Sequence, residues 1–287
     1  MLLPLKTETS GPEFLASKNG TIPFYCWPAP HAKSAVIFIH GLKSHAGWFS
    51  ETSRKFTDKN IQVYAYDRSG SGRSELTRGD VKNYQVWIDE INAVIKKVRQ
   101  EMPDTKIHLI GHCFGARLAM GAALQNSDEI ASIILMSPPQ LALKSDLTFP
   151  EKIKVLAGLR INPDWRVNVP IRDEMFTSNK EKILFVRNDT RRVKTITARF
   201  CGEILKLDRW ILKNLKKLKT PTLVLLAARD QVVDCGKVKT NFFKRLECKT
   251  KEIETYDCEH HLFFEPEADR AIDRIVAWAE KTERRLS

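Results

Sequence analysis

The sequence predicts an α/β fold with a mostly parallel central sheet, helices on both faces of the sheet, and a helical cap insertion. Short apolar runs rich in β-branched residues alternate with longer segments of helical period. Strands that are apolar on both sides suit a sheet that is covered on both faces. The alternation stops once, in a basic stretch between two predicted strands. A chain of 287 residues is long enough for one large domain of this kind.

The strands are predicted from apolar runs that end in Gly, Pro, Asp or Ser. The segment "FLASKNGTIPFYCWPAP" predicts an antiparallel hairpin that turns at Asn19-Gly20. Further buried strands are predicted at 34–40, 61–67, 106–111, 130–137 and 221–230, and "KEIETY" follows as another. Helical patterns occupy 50–60, 81–102, 114–125, 238–246 and 266–281. Strand and helix in alternation favour parallel pairing.

The interruption defines the predicted domain organisation. Residues 1–137 and 219–287 form the predicted core, and residues 138–218 form a helical cap over the C-terminal ends of the strands. Ligands bind at that edge in sheets of this type. The cap carries several large aromatic residues, which either line a pocket or form the core between cap helices, among them Trp165, Phe176, Phe185, Phe200 and Trp210.

The chain is basic, with 47 Lys and Arg against 35 Asp and Glu and a net charge of +12. The clusters "RNDTRRVKTITAR" and "LKNLKKLK" carry much of this charge. They form either a solvated surface or an attractive face for an anionic partner, such as a phosphate-bearing substrate, an acidic carrier protein or a membrane surface. Nucleic acid is not favoured, because the charge is not accompanied by a recognised binding motif.

The N-terminus and the cysteines favour a cytoplasmic protein. The segment "MLLPLKTETSGPEF" lacks the apolar centre of a signal peptide or membrane anchor, and no later run predicts a transmembrane segment. The six cysteines are scattered, which suits a reducing compartment better than a disulfide framework. Cys258, His260 and His261 lack a second ligand pair at zinc spacing, so neither a metal nor a cofactor is predicted.

The motif with the strongest chemical implication is Gly-His-Cys-Phe-Gly at residues 111–115. It has the spacing of a nucleophile elbow, G-x-S-x-G, with Cys113 in the place of serine. It lies between a predicted strand and a predicted helix, where glycines permit a tight turn and the helix N-terminus favours a thiolate. The backbone N–H of Phe114 is one predicted oxyanion donor, and that of Leu42, after "AVIFIHG", is the second.

Two further strand ends complete the predicted constellation. Asp230 follows "TLVLLAA" and His261 follows "KEIETY", so nucleophile, acid and histidine occur in the order found in hydrolases with this elbow. Asp234 is an alternative acid and His260 an alternative base. The position of Asp230 directly at the strand end favours it over Asp234.

These motifs resemble the α/β-hydrolases of the monoglyceride-lipase and lysophospholipase-like branch. The landmarks "FIHGLKSHAGWF", "YAYDRSGSGRSE", "IGHCFGARLA", "MSPP", "PTLVLLAARDQVVD" and "YDCEHHLFFE" follow one another in that branch's order over nearly the whole chain. The resemblance implies an α/β-hydrolase fold with Asp230 as the acid and His261 as the base. It also implies that His112 is structural, and that Asp67 and Arg73 shape the loop under the cap.

Cysteine at the elbow departs from this branch. Cys113 is a natural nucleophile, a structural thiol or an engineered replacement of serine, and the sequence leaves all three open. Because a thiolate exchanges one thioester for another at little energetic cost, the sequence favours an acyl-transfer enzyme acting on a thioester or ester through a covalent acyl-enzyme. Its donor would be a small acyl ester, acyl-CoA or acyl carrier protein. The alternatives are a lysophospholipase- or monoacylglycerol-lipase-like ester hydrolase, with peripheral membrane contact, and a non-catalytic binding protein.

Overall fold

The structure, a computed structural model, describes residues 12–284. Most of the N-terminal segment predicted to be neither signal peptide nor anchor lies outside the described residues. Among those described, no helix combines the length and the apolar content needed to cross a bilayer.

An eight-stranded sheet forms the centre of the molecule, in the order β1-β2-β4-β3-β5-β6-β9-β10. Strands β1 and β2 form an antiparallel hairpin on one edge, with Ser17 paired to Gly20 across the predicted turn, and β2 runs antiparallel to β4. All other pairings within this sheet are parallel. The sheet strands are β1 (Glu13–Ser17), β2 (Gly20–Trp27), β3 (Ser34–Ile39), β4 (Ile61–Tyr66), β5 (Lys106–His112), β6 (Ser132–Met136), β9 (Thr222–Ala227) and β10 (Lys251–Tyr256).

Helices cover both faces of the sheet. Along the described residues the helices are α1 (Ser50–Thr57), α2 (Gln85–Glu101), α3 (Phe114–Gln125), α4 (Phe149–Ile161), α5 (Lys180–Asn188), α6 (Ala198–Asn214), α7 (Cys235–Lys237) and α8 (Ala268–Glu283). Alternate residues of β3 show the two layers. Val36 and Phe38 pack with Phe56 of α1 and Trp278 of α8, whereas the opposite face packs with α2 and α3. The fold prediction is confirmed.

The predicted helix at 238–246 has a different form. The three-residue α7 ends at Lys237, just before this segment, and the segment itself has a π-helical turn at Val238–Phe242 and a 3-10 turn at Phe243–Arg245. Asp234 caps the N-terminus of α7, because its carboxylate accepts a hydrogen bond from the Lys237 N–H at 3.0 Å.

The segment between β6 and β9 contains α4, α5, α6 and a small antiparallel ribbon of β7 (Arg166–Asn168) and β8 (Thr195–Thr197). It rests on the loop after β3 through buried polar contacts. Asp189 is joined to the His45 ring at 3.0 Å and accepts a hydrogen bond from the Trp48 indole at 2.8 Å. The Lys43 ammonium donates to the Ile171 carbonyl at 2.6 Å. The cap boundaries at 138 and 218 remain a prediction.

Candidate active site

The backbone at Cys113 has the strained geometry of a nucleophile elbow. Its φ of 51° and ψ of −112° lie in a region that few residues other than glycine adopt, and the thiol stands at the N-terminus of α3. The flanking glycines are required here. A Cβ at Gly111 would lie 2.5 Å from the Gly115 carbonyl oxygen, and one at Gly115 would overlap the Ile39 carbonyl. The sequence prediction of a tight turn between strand and helix is therefore met.

Asp230 lies at the end of β9, where the sequence places it, and is almost completely buried. Its Oδ1 accepts hydrogen bonds from the N–H groups of Val232 at 2.7 Å and Val233 at 2.9 Å. Its Oδ2 accepts one from the His260 ring at 2.7 Å. Burial alone would raise the pKa of this carboxyl, but the His260 charge and these hydrogen bonds hold it below the usual value. Asp234, the alternative acid, is occupied in starting α7.

The histidine that joins this carboxylate is His260, not His261. Its Nδ1 bonds to Asp230, and the Cys113 thiol lies near the same ring. The other ring nitrogen, Nε2, is buried and has no hydrogen-bond partner in the part of the chain that the structure describes, so it is the nitrogen left to take the thiol proton. Burial opposes a charge on this ring. The Asp230 carboxylate and the Cys113 thiol outweigh it and raise the pKa of His260 to about 10.

The sequence-based choice of His261 as base is therefore corrected. Its ring stacks on Phe264, with centroids 3.8 Å apart, and neither ring nitrogen has a hydrogen-bond partner among the described residues. Burial, together with the nearby His112 and His260, lowers the pKa of His261 well below its ordinary value, so the ring is neutral. Because its surroundings are apolar, the His261 ring packs against Phe264 and does not turn toward Asp230. His261 is held instead by its backbone, whose N–H donates to the Phe176 carbonyl at 2.7 Å.

His112 supports the base without contacting the carboxylate. Its Nε2 donates to the His260 carbonyl at 3.2 Å, and burial lowers the pKa of His112 to about 3. Asp67 has a comparable structural role. Its carboxylate accepts hydrogen bonds from the backbone N–H groups of Ala46 and Arg73, both at 2.8 Å, and so ties the loop after β3 to the glycine-rich turn. Arg73 contributes only its backbone to that contact.

A cavity of about 440 Å³ opens over Cys113, within the size range of small-molecule sites. Leu42 and Phe114 line it beside the thiol, where the sequence predicts the oxyanion donors. Most of the other lining residues are aliphatic and come from the cap and its flanks: Leu143, Leu147, Val155, Leu156, Val169, Pro170, Ile171, Ile196, Ile204, Leu205 and Val232. The cavity wall next to the thiol is therefore mainly apolar and suits an acyl chain.

The cap aromatics do not line this cavity. Phe200 packs between Trp87 and Phe114, with ring centroids 4.8 and 5.8 Å away, and Phe176 packs edge-on against Trp48 at 5.5 Å. Of the two roles considered for these aromatics, packing is the one the structure shows.

Comparison with known proteins identifies a family and sequence relatives of this chain. The sequence pattern described as serine aminopeptidase, S33 matches residues 30–267. Phospholipase YtpA of Bacillus subtilis is 26% identical over 262 residues, which cover 90% of this chain and 99% of that protein. Human monoglyceride lipase is 24% identical over 241 residues, 82% of this chain and 78% of that one.

Solved structures show the same fold. A soluble variant of the Saccharomyces cerevisiae monoglyceride lipase, in complex with a substrate analog, superposes with a TM-score of 0.84 at 16% identity and covers 98% of this chain and 99% of that one. The Paleococcus ferrophilus monoacylglycerol lipase gives a TM-score of 0.80 at 20% identity, with 91% and 99% covered.

These relationships confirm the predicted enzyme class, an α/β-hydrolase acting on ester bonds. They favour the alternative of a lipase-like ester hydrolase over acyl transfer from a thioester. The chain belongs to the serine aminopeptidase, S33 family of α/β-hydrolases.

Proposed function

We propose that the protein hydrolyses long-chain monoacyl lipid esters, of the monoacylglycerol or lysophospholipid kind, through a Cys113–His260–Asp230 triad. The observation that carries the proposal is the thiol at the elbow, beside the Asp230-bound ring of His260 and under an aliphatic cavity of about 440 Å³. The names of the relatives, phospholipase and monoglyceride lipase, support the same substrate class.

In the proposed reaction the Cys113 sulfur attacks the ester carbonyl while its proton resides on His260. The raised pKa of His260 favours an imidazolium, so the ring can hold the thiol proton during the attack. The N–H groups of Leu42 and Phe114 donate hydrogen bonds to the developing oxyanion. The N–H of Phe114 is among the first of α3, which have no acceptor within the helix.

Collapse of the tetrahedral intermediate breaks the ester C–O bond, and His260 gives its proton to the departing alcohol. The acyl group is then a thioester on Cys113. Water attacks this thioester with His260 as base, and the fatty acid leaves as the thiol is restored. Asp230 keeps the ring oriented throughout.

Acyl selectivity tests whether the aliphatic cavity holds the substrate chain. Ile204 of α6 lines the cavity, so Ile204→Trp is expected to shorten the space for the chain. We expect kcat/KM for a palmitoyl ester to fall at least about tenfold relative to a butyryl ester, given the apolar contact that is lost. Leu184→Trp, on α5 and outside the cavity lining, is the matched control. An equal loss for both esters would show that the chain binds elsewhere.

The cap also presents an apolar surface at the cavity entrance, which supports peripheral membrane contact as part of the proposal. Phe149, Ile153 and Leu156 of α4 are 76%, 51% and 64% exposed and share one helix face, and Leu156 also lines the cavity. A lipid ester held in a bilayer reaches the thiol over this face.

The double variant Phe149→Ser with Ile153→Ser is expected to bind substrate-containing vesicles at least about tenfold more weakly. Its kcat/KM for a water-soluble butyryl ester should be unchanged. Leu184→Ser, which removes an exposed leucine of α5, is the matched control for vesicle sedimentation and for both activities. Unchanged vesicle binding in the double variant would rule out this face as the contact.

A thioester donor is the second candidate, and the cysteine is the feature that favours it. Acyl-CoA or acyl carrier protein would bring negative charge to a basic cap. Some basic side chains of the cap, however, already form ion pairs with acidic residues of this chain. Arg192 pairs with Asp173, and Arg199 with Asp80 and Asp164. Steering of an anionic donor is correspondingly less well supported. A cytoplasmic location remains a prediction.

A further inference from the structure

Arg68 is a buried arginine close to the candidate active site that the sequence motifs do not explain. It follows β4 directly after Asp67 and is 1% exposed. Its guanidinium bonds mainly to backbone oxygens of the loop after β3. One terminal nitrogen donates to the Gly41 carbonyl at 2.8 Å and to the His40 carbonyl at 3.2 Å, and the other donates to the Leu42 carbonyl at 2.8 Å.

The same side chain also contacts Phe114, the other residue whose backbone N–H is a predicted oxyanion donor. The guanidinium lies over the Phe114 ring, 4.8 Å from its centroid, and it also meets the His40 ring at 2.6 Å. Burial lowers the pKa of Arg68 to about 10, so the group is still charged at neutral pH. Arg68 therefore links the loop that carries Leu42 to the first residue of α3.

The direction of these bonds determines where the loop N–H groups point. In a trans peptide the C=O and the following N–H point to opposite sides. The Gly41 carbonyl and the Leu42 N–H belong to one such unit. Because Arg68 holds the Gly41 carbonyl on its own side, the Leu42 N–H is directed away from Arg68. Leu42 lines the cavity beside Cys113.

We propose that Arg68 is a positioning residue that fixes the oxyanion donors by holding three consecutive carbonyls of the loop after β3. This inference rests on the proposed function, because it assumes that an acyl carbonyl reacts at Cys113. The planar fork of arginine carries five N–H donors and suits this arrangement. A lysine at the same place has a single nitrogen and lacks the two arms with which arginine donates to separate carbonyls.

The test compares two reactions of the same thiol. Acylation by a p-nitrophenyl ester passes through an oxyanion, whereas alkylation by iodoacetamide is a displacement that forms none. Both are measured at Cys113 by rapid quench and peptide mass mapping, in the wild type, Arg68→Lys and Arg68→Gln. We expect acylation to fall at least about tenfold in both variants, since losing one oxyanion donor costs 10²–10³ in rate. Alkylation should stay within about twofold of wild type.

Loss of both reactions in a folded variant would overturn the inference, because Arg68 would then support the thiol and histidine in general. Unchanged acylation in Arg68→Lys and Arg68→Gln would overturn it as well. Because Arg68→Lys keeps the positive charge, it provides the test if Arg68→Gln does not fold. A wild type that is alkylated but never acylated would refute the proposed function itself, and with it this role for Arg68.

Discussion

His260→Gln is expected to lower kcat/KM for ester hydrolysis at least about a hundredfold, the usual cost of removing a general base. His261→Phe is expected to leave it within about threefold, since replacing an unpartnered polar group by an apolar one of similar shape is nearly neutral. The difference follows from the contacts. The His260 ring bonds to Asp230 beside Cys113, whereas the His261 ring stacks on Phe264 and both its nitrogens are buried with no partner in residues 12–284.

Thermal unfolding of both variants is the control, because each residue is fully buried. His261→Phe preserves the aromatic stack and should melt near the wild-type temperature. If His261→Phe lost activity while folded and His260→Gln kept it, the observed pairing with Asp230 would not be the catalytic one.

Cys113→Ala is expected to abolish turnover, and Cys113→Ser to retain or increase ester hydrolysis. Alanine removes the nucleophile, whereas serine restores the residue that the G-x-S-x-G elbow usually carries. The linkage also changes. We expect the wild-type acyl group to be a thioester that neutral hydroxylamine releases, and the serine variant to hold a more resistant oxygen ester.

Cys201, which lines the same cavity, supplies the matched control. Cys201→Ala removes a second thiol from the cavity while leaving the elbow intact, and we expect its acyl adduct on Cys113 to be unaffected. Full activity in Cys113→Ala would show that the chemistry uses a different group.

The fold and most of the candidate site could be predicted from sequence because their signals are local. Strand β5, the elbow and α3 are contiguous, and the apolar runs and flanking glycines indicate all three. Asp230 could be placed because the end of a strand is a defined position at the edge of the sheet.

The choice between two adjacent histidines could not be made in this way. His260 and His261 point in different directions from one short loop, and the outcome depends on Asp230 to one side and Phe264 to the other. Arg68 was missed for a similar reason, because its partners are backbone carbonyls remote in sequence. One signal for it was available, an arginine two residues beyond the end of the apolar strand β4, where a charge needs buried partners.

Acid-quenched mass spectrometry during turnover of a long-chain monoacylglycerol shows whether Cys113 carries the acyl group. We expect one acyl increment per wild-type chain, mapped to the peptide that contains Cys113 and released by neutral hydroxylamine. Cys113→Ala should show neither adduct nor turnover, and His260→Gln should acylate at least about a hundredfold more slowly. An acyl group mapped to any other residue, or undiminished hydrolysis by Cys113→Ala, would contradict the role of Cys113 as the nucleophile.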